Sequence, residues 1–399
     1  MNNVYIKNGF LIKDNKITPG NILIQDGRIA KVEESTETKK TGKNIQNCLP
    51  DKCDIIDAEG KYVAPGFIDI HVHGGGGYDF MDCTVEAFRN ITETHLKNGT
   101  TTIVPTAVSS DFDQILKLIA VYKEAMAYCP TMYGLHLEGP YISPNQKGAH
   151  KEKYLRTPSR KDADILLQTG AGIIKRITAA PELPGMKEFA EIMLQNGVSL
   201  CLGHSDATSD IAMDAFEYGF SHVTHLYSAT PSVRKINQVV KAGVVEAAYL
   251  HDTVTVELIA DGKHAAQDAL KLAVKIKGTD KVALVSDALR PAGTEVCESY
   301  LGEKIPENRV IIEDGVAKLP DRSSFAGSIA TSSMLLEKGI NHYGFSIGDT
   351  VEMLTKTPAN ILGLKDKGRL EEGCIADIVL FDAKYQVKEV LLQGKRQRI

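Results

Sequence analysis

A chain of 399 residues that is 43% hydrophobic carries enough apolar material for one large core, or for one large and one small. Its 46 basic and 51 acidic side chains leave a formal charge of −5 with no basic block, which argues against nucleic acid or an anionic membrane as partner. No stretch reads as a signal peptide or as an apolar run of bilayer length, and the seven cysteines include no C-x-x-C pair, so a cytoplasmic protein with reduced thiols is expected.

The first 60 residues hold short strands, Tyr5–Gly9, Asn21–Gly27 and Ile29–Val32, with the Asn-Gly and Asp-Gly signals of hairpin turns. A polar loop, Ser35–Asp51, follows; it contains Cys48, which with nearby Cys53 reads as a pair of free loop thiols. The character then changes. Apolar, β-branched runs recur near residues 67–73, 101–105, 132–138, 173–179, 198–203, 222–226, 254–260 and 282–287. Helix-like segments separate most of them, including Asp111–Tyr128, Met186–Gln195, Thr208–Tyr218 and Ala265–Lys277. Eight strands spaced by about 25 to 40 residues, with helices between, fit a (β/α)8 barrel. A doubly wound sheet is the alternative, but no G-x-G-x-x-G turn follows the first strand. Strand character returns at Ile378–Phe381 and Val387–Leu392, with a turn at Gly394. The predicted fold is therefore α/β: a TIM barrel over residues 61–360, and a small β-sandwich domain built from residues 1–60 and 361–399.

In such a barrel the carboxyl ends of the strands form the active site. Strand 1 ends in His71-Val-His73, and side chains two apart on a strand share a face. Alone, that pair is open between a transition-metal site and two hydrogen-bonded structural histidines. Further strand ends add His136-Leu-Glu138, Gly203-His204, His222-Val-Thr-His225, Asp261-Gly-Lys-His264 and Ser286-Asp287. His136 and His222 read as structural groups or as partners of metal ligands. A catalytic metal takes three protein ligands and keeps a position open, which a His/His/Glu set satisfies.

The constellation resembles the amidohydrolase superfamily and, within it, the N-acetylglucosamine-6-phosphate deacetylases, over nearly the whole chain. Asp26-Gly-Arg-Ile29, Pro65-Gly-Phe-Ile-Asp69 and Gly373-x-x-Ala376-Asp377 are similar to general superfamily marks. Gly134-Leu-His-Leu-Glu-Gly-Pro140, Lys147-Gly-Ala-His150, Ala180-Pro-Glu182, Gly203-His-Ser205, Thr224-His-Leu-Tyr227, Ile259-Ala-Asp-Gly262 and Phe325-Ala-Gly-Ser328 resemble the deacetylases more specifically. The resemblance implies that Glu138, His204 and His225 hold the principal divalent metal, with Asp287 as acid/base. It further implies that His150 leans on the acetamide carbonyl, that His264 contacts the sugar phosphate, and that Ala149, Ser228, Ala229, Phe325, Ala326, Gly327 and Ser328 line the pocket. Implied with these are hydrolysis of N-acetyl-D-glucosamine 6-phosphate to D-glucosamine 6-phosphate and acetate, zinc or iron as cofactor, and a homodimer.

Three departures qualify the resemblance. Some family members lack the strand-1 histidines and run on one metal; His71 and His73 are present here, so one or two ions per chain are expected, the second bridged through Glu138. Where the family commonly reads Leu-Tyr-Asn-Ala-Met, this chain has Leu226-Tyr-Ser-Ala-Thr230. In place of the usual Arg-Glu-Pro-Gly it has Val233-Arg-Lys-Ile-Asn237, leaving Arg234 or Lys235 to meet the phosphate, from the same subunit or, as the resemblance suggests, across a dimer interface, or both as solvated charges. Arg234 is the expected cation, because a guanidinium grips phosphate with two donors. The rivals are a deacetylase of the galacto isomer, a cyclic-amide hydrolase bridging two metals with a carboxylated lysine, and a non-catalytic scaffold. Lys175, the lysine available to the cyclic-amide rival, falls in mid-strand.

Overall fold

The computed structural model describes residues 3–34, 50 and 52–398, so Cys48 and, apart from Pro50, the polar loop at 35–51 lie outside the described residues. The chain divides into two compact units, one of Met1–Asp69, His95–Thr102 and Ser332–Ile399, the other of Ile70–Thr94 and Ile103–Thr331.

In the first unit the chain ends share one sheet. Its order runs Lys395–Arg396, Val387–Leu392, Ile378–Phe381, Tyr62–Pro65, Asn3–Lys13, Lys16–Gln25 and Arg28–Glu34, with Asp54–Asp57 also pairing Asn3–Lys13. Alternation sorts the side chains: Val4, Ile6, Leu11, Ile22, Ile24, Val63, Ile378, Leu380 and Leu391 enter one core, whereas Tyr5 and Leu23 pack in another cluster. Each such buried aliphatic stabilises the fold by about 1.5–3 kcal/mol. Asp26-Gly27 makes the expected hairpin turn. Asn8-Gly9 does not. The strand continues through it as a bulge, with the register shifting between Ile6 and Gly9, and the true turn is Asp14-Asn15 at φ 45° and 59°. A left-handed Asn at φ 59° serves a bulge as well as a turn.

The barrel's parallel strands are Phe67–Val72, Thr100–Ala107, Leu135–Glu138, Ile174–Ala179, Ser199–Leu202, Phe220–Val223, Thr255–Ile259 and Val282–Val285, here strands 1 to 8, hydrogen-bonded in that order. The ring closes just past strand 8, where Val72 bridges Ala288 and the Asp287 amide donates to the His71 carbonyl at 3.0 Å. The expected helices form at Phe112–Ala125, Met186–Gln195, Ser209–Glu217 and Gln267–Lys277. In the first of these, Ile115, Leu118, Ile119, Tyr122 and Ala125 make the buried stripe that a 3.6-residue period requires.

Two additions escaped the sequence pattern. Arg234–Ile236 and Val239–Lys241 pair as a hairpin after strand 6. After strand 8, Glu298–Tyr300, Arg309–Glu313, Val316–Lys318 and Phe325–Ser328 form an antiparallel sheet. No helix among the described residues is long and apolar enough to cross a membrane.

Candidate active site

Glu138 ends strand 3 and is buried at the barrel mouth, where imidazoles converge on its two oxygens. His225 Nε2 lies 2.7 Å and His204 Nε2 3.1 Å from Oε1, while His73 and His150 Nε2 each lie 3.3 Å from Oε2. Asp287 stands opposite, with Oδ1 3.2 Å from His73 Nε2 and 3.5 Å from His71 Nε2. His204, His225 and Asp287 follow strands 5, 6 and 8 directly, and all have left-handed backbone, at φ 48°, 26° and 48°. For non-glycine residues this costs on the order of 1–3 kcal/mol each, a strain found mostly at functional positions.

The outer nitrogens decide what the inner ones can do. His204 Nδ1 donates to the Gln146 carbonyl at 2.8 Å and His225 Nδ1 to the Ser228 carbonyl at 3.0 Å. A carbonyl only accepts, so both Nδ1 atoms carry protons, and a neutral ring in this tautomer turns a bare Nε2 lone pair toward a carboxylate. Lone pair against anion is repulsive unless a cation lies between them. His71 is set in the same way, Nδ1 to Glu257 Oε1 at 2.5 Å. Three sets of ligating atoms lie within 4.8 Å of one another: His71, His73 and Asp287; His71, Glu138 and His225; Glu138, His150 and His204. The donor set fits a divalent metal.

Burial opposes charge on His71 and His73, but the surrounding carboxylates outweigh it, holding His71 well above its ordinary value and His73 up to about 9. The same attraction overcomes burial to hold Glu138 well below the usual carboxylate range, and Asp287 below its own.

His150 differs. Its Nδ1 accepts the Ser109 backbone N–H at 3.2 Å and also lies 2.8 Å from the Ser109 hydroxyl, so the neutral ring carries its proton on Nε2. Burial leads in depressing it to about 4. In this tautomer a neutral His150 offers its Nε2 proton to the cavity.

Most of the expected residues surround one cavity of about 270 Å³: His73, Glu138, Ala149, His150, His204, His225, Ser228, Ala229, His264, Asp287, Phe325, Ala326 and Gly327. Three do not line it. His71 lies fully buried. The Ser328 amide donates to the Asp287 carbonyl at 3.0 Å, and its hydroxyl accepts from the Ala330 amide. Arg234 is committed to Asp206, with Nη2 3.0 Å from Oδ1 and 2.6 Å from the carbonyl. Lys235 sits beside it on an exposed hairpin position.

Glu257 was missed by sequence reasoning. Fully buried on strand 7, it meets His71 Nδ1, Arg176 Nη2 at 3.0 Å, His222 Nε2 at 3.1 Å and the His225 amide at 3.3 Å. It thus ties the strand-1 histidine to the strand-6 one, and it gives His222 the supporting place expected of it. Two charged residues inside apolar strands, Arg176 and Glu257, were the signal available. His136 hydrogen-bonds Thr178 at 2.7 Å, and burial holds it well below its ordinary value.

Comparison with known proteins bears on this arrangement. The family model of the amidohydrolase family matches residues 62–396. The N-acetylglucosamine-6-phosphate deacetylase of Haemophilus influenzae is 30% identical over 344 residues, covering 85% of this chain and 87% of that protein. The N-acetylgalactosamine-6-phosphate deacetylase of a Shewanella species is 28% identical over 333 residues, covering 83% and 82%. The crystal structure of N-acetylglucosamine-6-phosphate deacetylase from Pasteurella multocida superposes with a TM-score of 0.89 at 27% identity, covering 99% of each chain. With the match running from the terminal sheet through every strand end that carries a site residue, the chain belongs to the amidohydrolase family, among its N-acetylglucosamine-6-phosphate deacetylases.

Proposed function

We propose that this chain hydrolyses the acetamide of N-acetylglucosamine 6-phosphate, releasing acetate and glucosamine 6-phosphate. The observation that carries the reading is the convergence of imidazole nitrogens on Glu138 beside Asp287, inside a cavity bounded by His264. Enzymes of this superfamily are metal-dependent, and here Glu138, His204 and His225 would hold the principal ion, with His71 and His73 holding a second. Zinc or iron suits imidazole and carboxylate donors. When bound, the metal supplies Lewis acidity, making water a nucleophile near neutral pH and favouring negative charge on the carbonyl oxygen.

The remaining steps fall to this chain's own groups. Asp287 takes a proton from the attacking water as the new C–O bond forms. His150 donates its Nε2 proton in a hydrogen bond to the carbonyl oxygen where charge develops. Asp287 then returns the proton to the departing amine as the C–N bond breaks. The enzyme acts as a cytoplasmic homodimer in this reading.

The galacto isomer, named for the Shewanella relative, differs at one hydroxyl and is the alternative substrate. The cyclic-amide rival loses ground, since Lys175 Nζ lies over the Tyr133 ring at 5.7 Å and is not among the cavity residues. The scaffold rival would purify without stoichiometric metal.

Steady-state kinetics with N-acetylglucosamine and its 6-phosphate test the substrate class. The phosphorylated sugar is expected to have a kcat/KM more than about tenfold higher, equivalent to roughly 1.4 kcal/mol, because a remote phosphate positions the acetamide. A smaller ratio would refute the phosphate pocket. Metal analysis tests the second ion: changing His71 and His73 together to Ala should lower bound metal from about two per chain to about one and leave some activity. Two ions retained in that double variant would rule out a strand-1 site.

A further inference from the structure

The loop after strand 7 is organised by one carboxylate. Asp261 is buried, its side chain 2% exposed. Its Oδ1 accepts the backbone N–H groups of Lys263 at 2.8 Å and His264 at 3.0 Å, closing an Asx turn in which Gly262 takes φ 82°. Its Oδ2 lies 2.8 Å from His264 Nδ1. Phe325 packs against the ring, tilted by 55°, at 5.0 Å between centroids.

This geometry fixes more than position. A carboxylate only accepts, so His264 Nδ1 carries a proton. The Nε2 edge is then the one left for a ligand in the cavity His264 borders. A neutral ring in this tautomer offers Nε2 as a lone pair, which repels a phosphate oxygen. To donate to phosphate the ring must hold both protons, and a cation in so buried a place needs a counter-charge. Asp261 supplies it. Arg234, the cation expected from sequence, pairs with Asp206 at 3.0 Å and is not among the residues lining this cavity.

We propose that Asp261 is a positioning residue for substrate specificity: it orients His264 and balances its charge, so that Nε2–H is presented to the anionic substituent of the sugar. The inference rests on the phosphorylated-substrate reading above. It places discrimination between charged and neutral sugars in an Asp–His pair rather than in histidine alone. Burial favours the neutral acid, but the His264 hydrogen bond and charge and the two backbone donors overcome it, keeping Asp261 below the usual carboxylate range and therefore ionised near neutral pH.

The test is a cycle of Asp261→Asn and His264→Gln, alone and combined, assayed on both sugars. Asn keeps the size but has one oxygen where Asp261 uses two, and no charge. Asp261→Asn is expected to lower kcat/KM for the phosphorylated sugar by about 10- to 100-fold, the scale of one charge-assisted hydrogen bond, and that for the neutral sugar far less. Added to His264→Gln, it should reduce the preference no further. Equal losses on both sugars, or losses that multiply in the double variant, would overturn the pair and leave Asp261 as a loop anchor. A wild-type enzyme with no phosphate preference would instead sink the substrate reading, and this inference with it. Should the Asn variant fail to fold, 15N NMR of histidine-labelled wild-type protein with inorganic phosphate decides: both His264 nitrogens protonated in the bound state supports the proposal, an unprotonated Nε2 overturns it.

Discussion

Asp287→Asn is expected to bind metal and substrate normally and to turn over roughly 10²–10⁴-fold more slowly, the usual cost of losing general acid/base catalysis. The amide matches the carboxylate in shape, and the backbone that aims it is held independently, by the Asp287 amide on the His71 carbonyl and the Ser328 amide on the Asp287 carbonyl. Position therefore survives while basicity is lost. The loss should appear in kcat, with metal content measured alongside to show that the neighbouring sites remain filled. Since Asp287 Oδ1 faces His73 Nε2 at 3.2 Å, a small change in the strand-1 ion is tolerable, whereas loss of the principal ion is not. A variant keeping a third of the wild-type turnover number would remove Asp287 from the acid/base role.

His204→Ala should act through a different step. It deletes a ring whose Nδ1 is anchored on the Gln146 carbonyl and whose Nε2 lies 3.1 Å from Glu138, leaving a hole where the proposed ligand stood. Removing an outer partner of a metal ligand typically costs about 10–100-fold in affinity or activity, and removing the ligand itself should exceed that. The expected result is a folded protein with little of the principal ion and no measurable turnover. Metal titration separates this variant from Asp287→Asn, which should keep the principal ion. Stoichiometric, tightly held metal in His204→Ala would exclude it from the ligand set.

The eight barrel strands were legible because parallel strands buried on both faces read as continuous β-branched runs, and their ends showed the site because a barrel gathers its chemistry there. What stayed hidden has physical reasons. Glu257 and Arg176 lie inside strands, where polar residues carry no motif. Asn8-Gly9 has turn chemistry, yet a bulge uses the same left-handed backbone. The Arg234–Asp206 contact was not legible either, since the sequence shows a cation but not the carboxylate beside it. The sheet completed by Phe325–Ser328 is made of strands three to five residues long, too short to establish a period.

The left-handed backbone at His204, His225 and Asp287 has a consequence for how such a protein changes over generations. Glycine adopts that conformation without a Cβ penalty, so at each of these positions the residue best for folding differs from the residue needed for chemistry. Drift toward stability and selection for turnover pull in opposite directions there, and a copy released from its reaction would be free to become sturdier as it became inert.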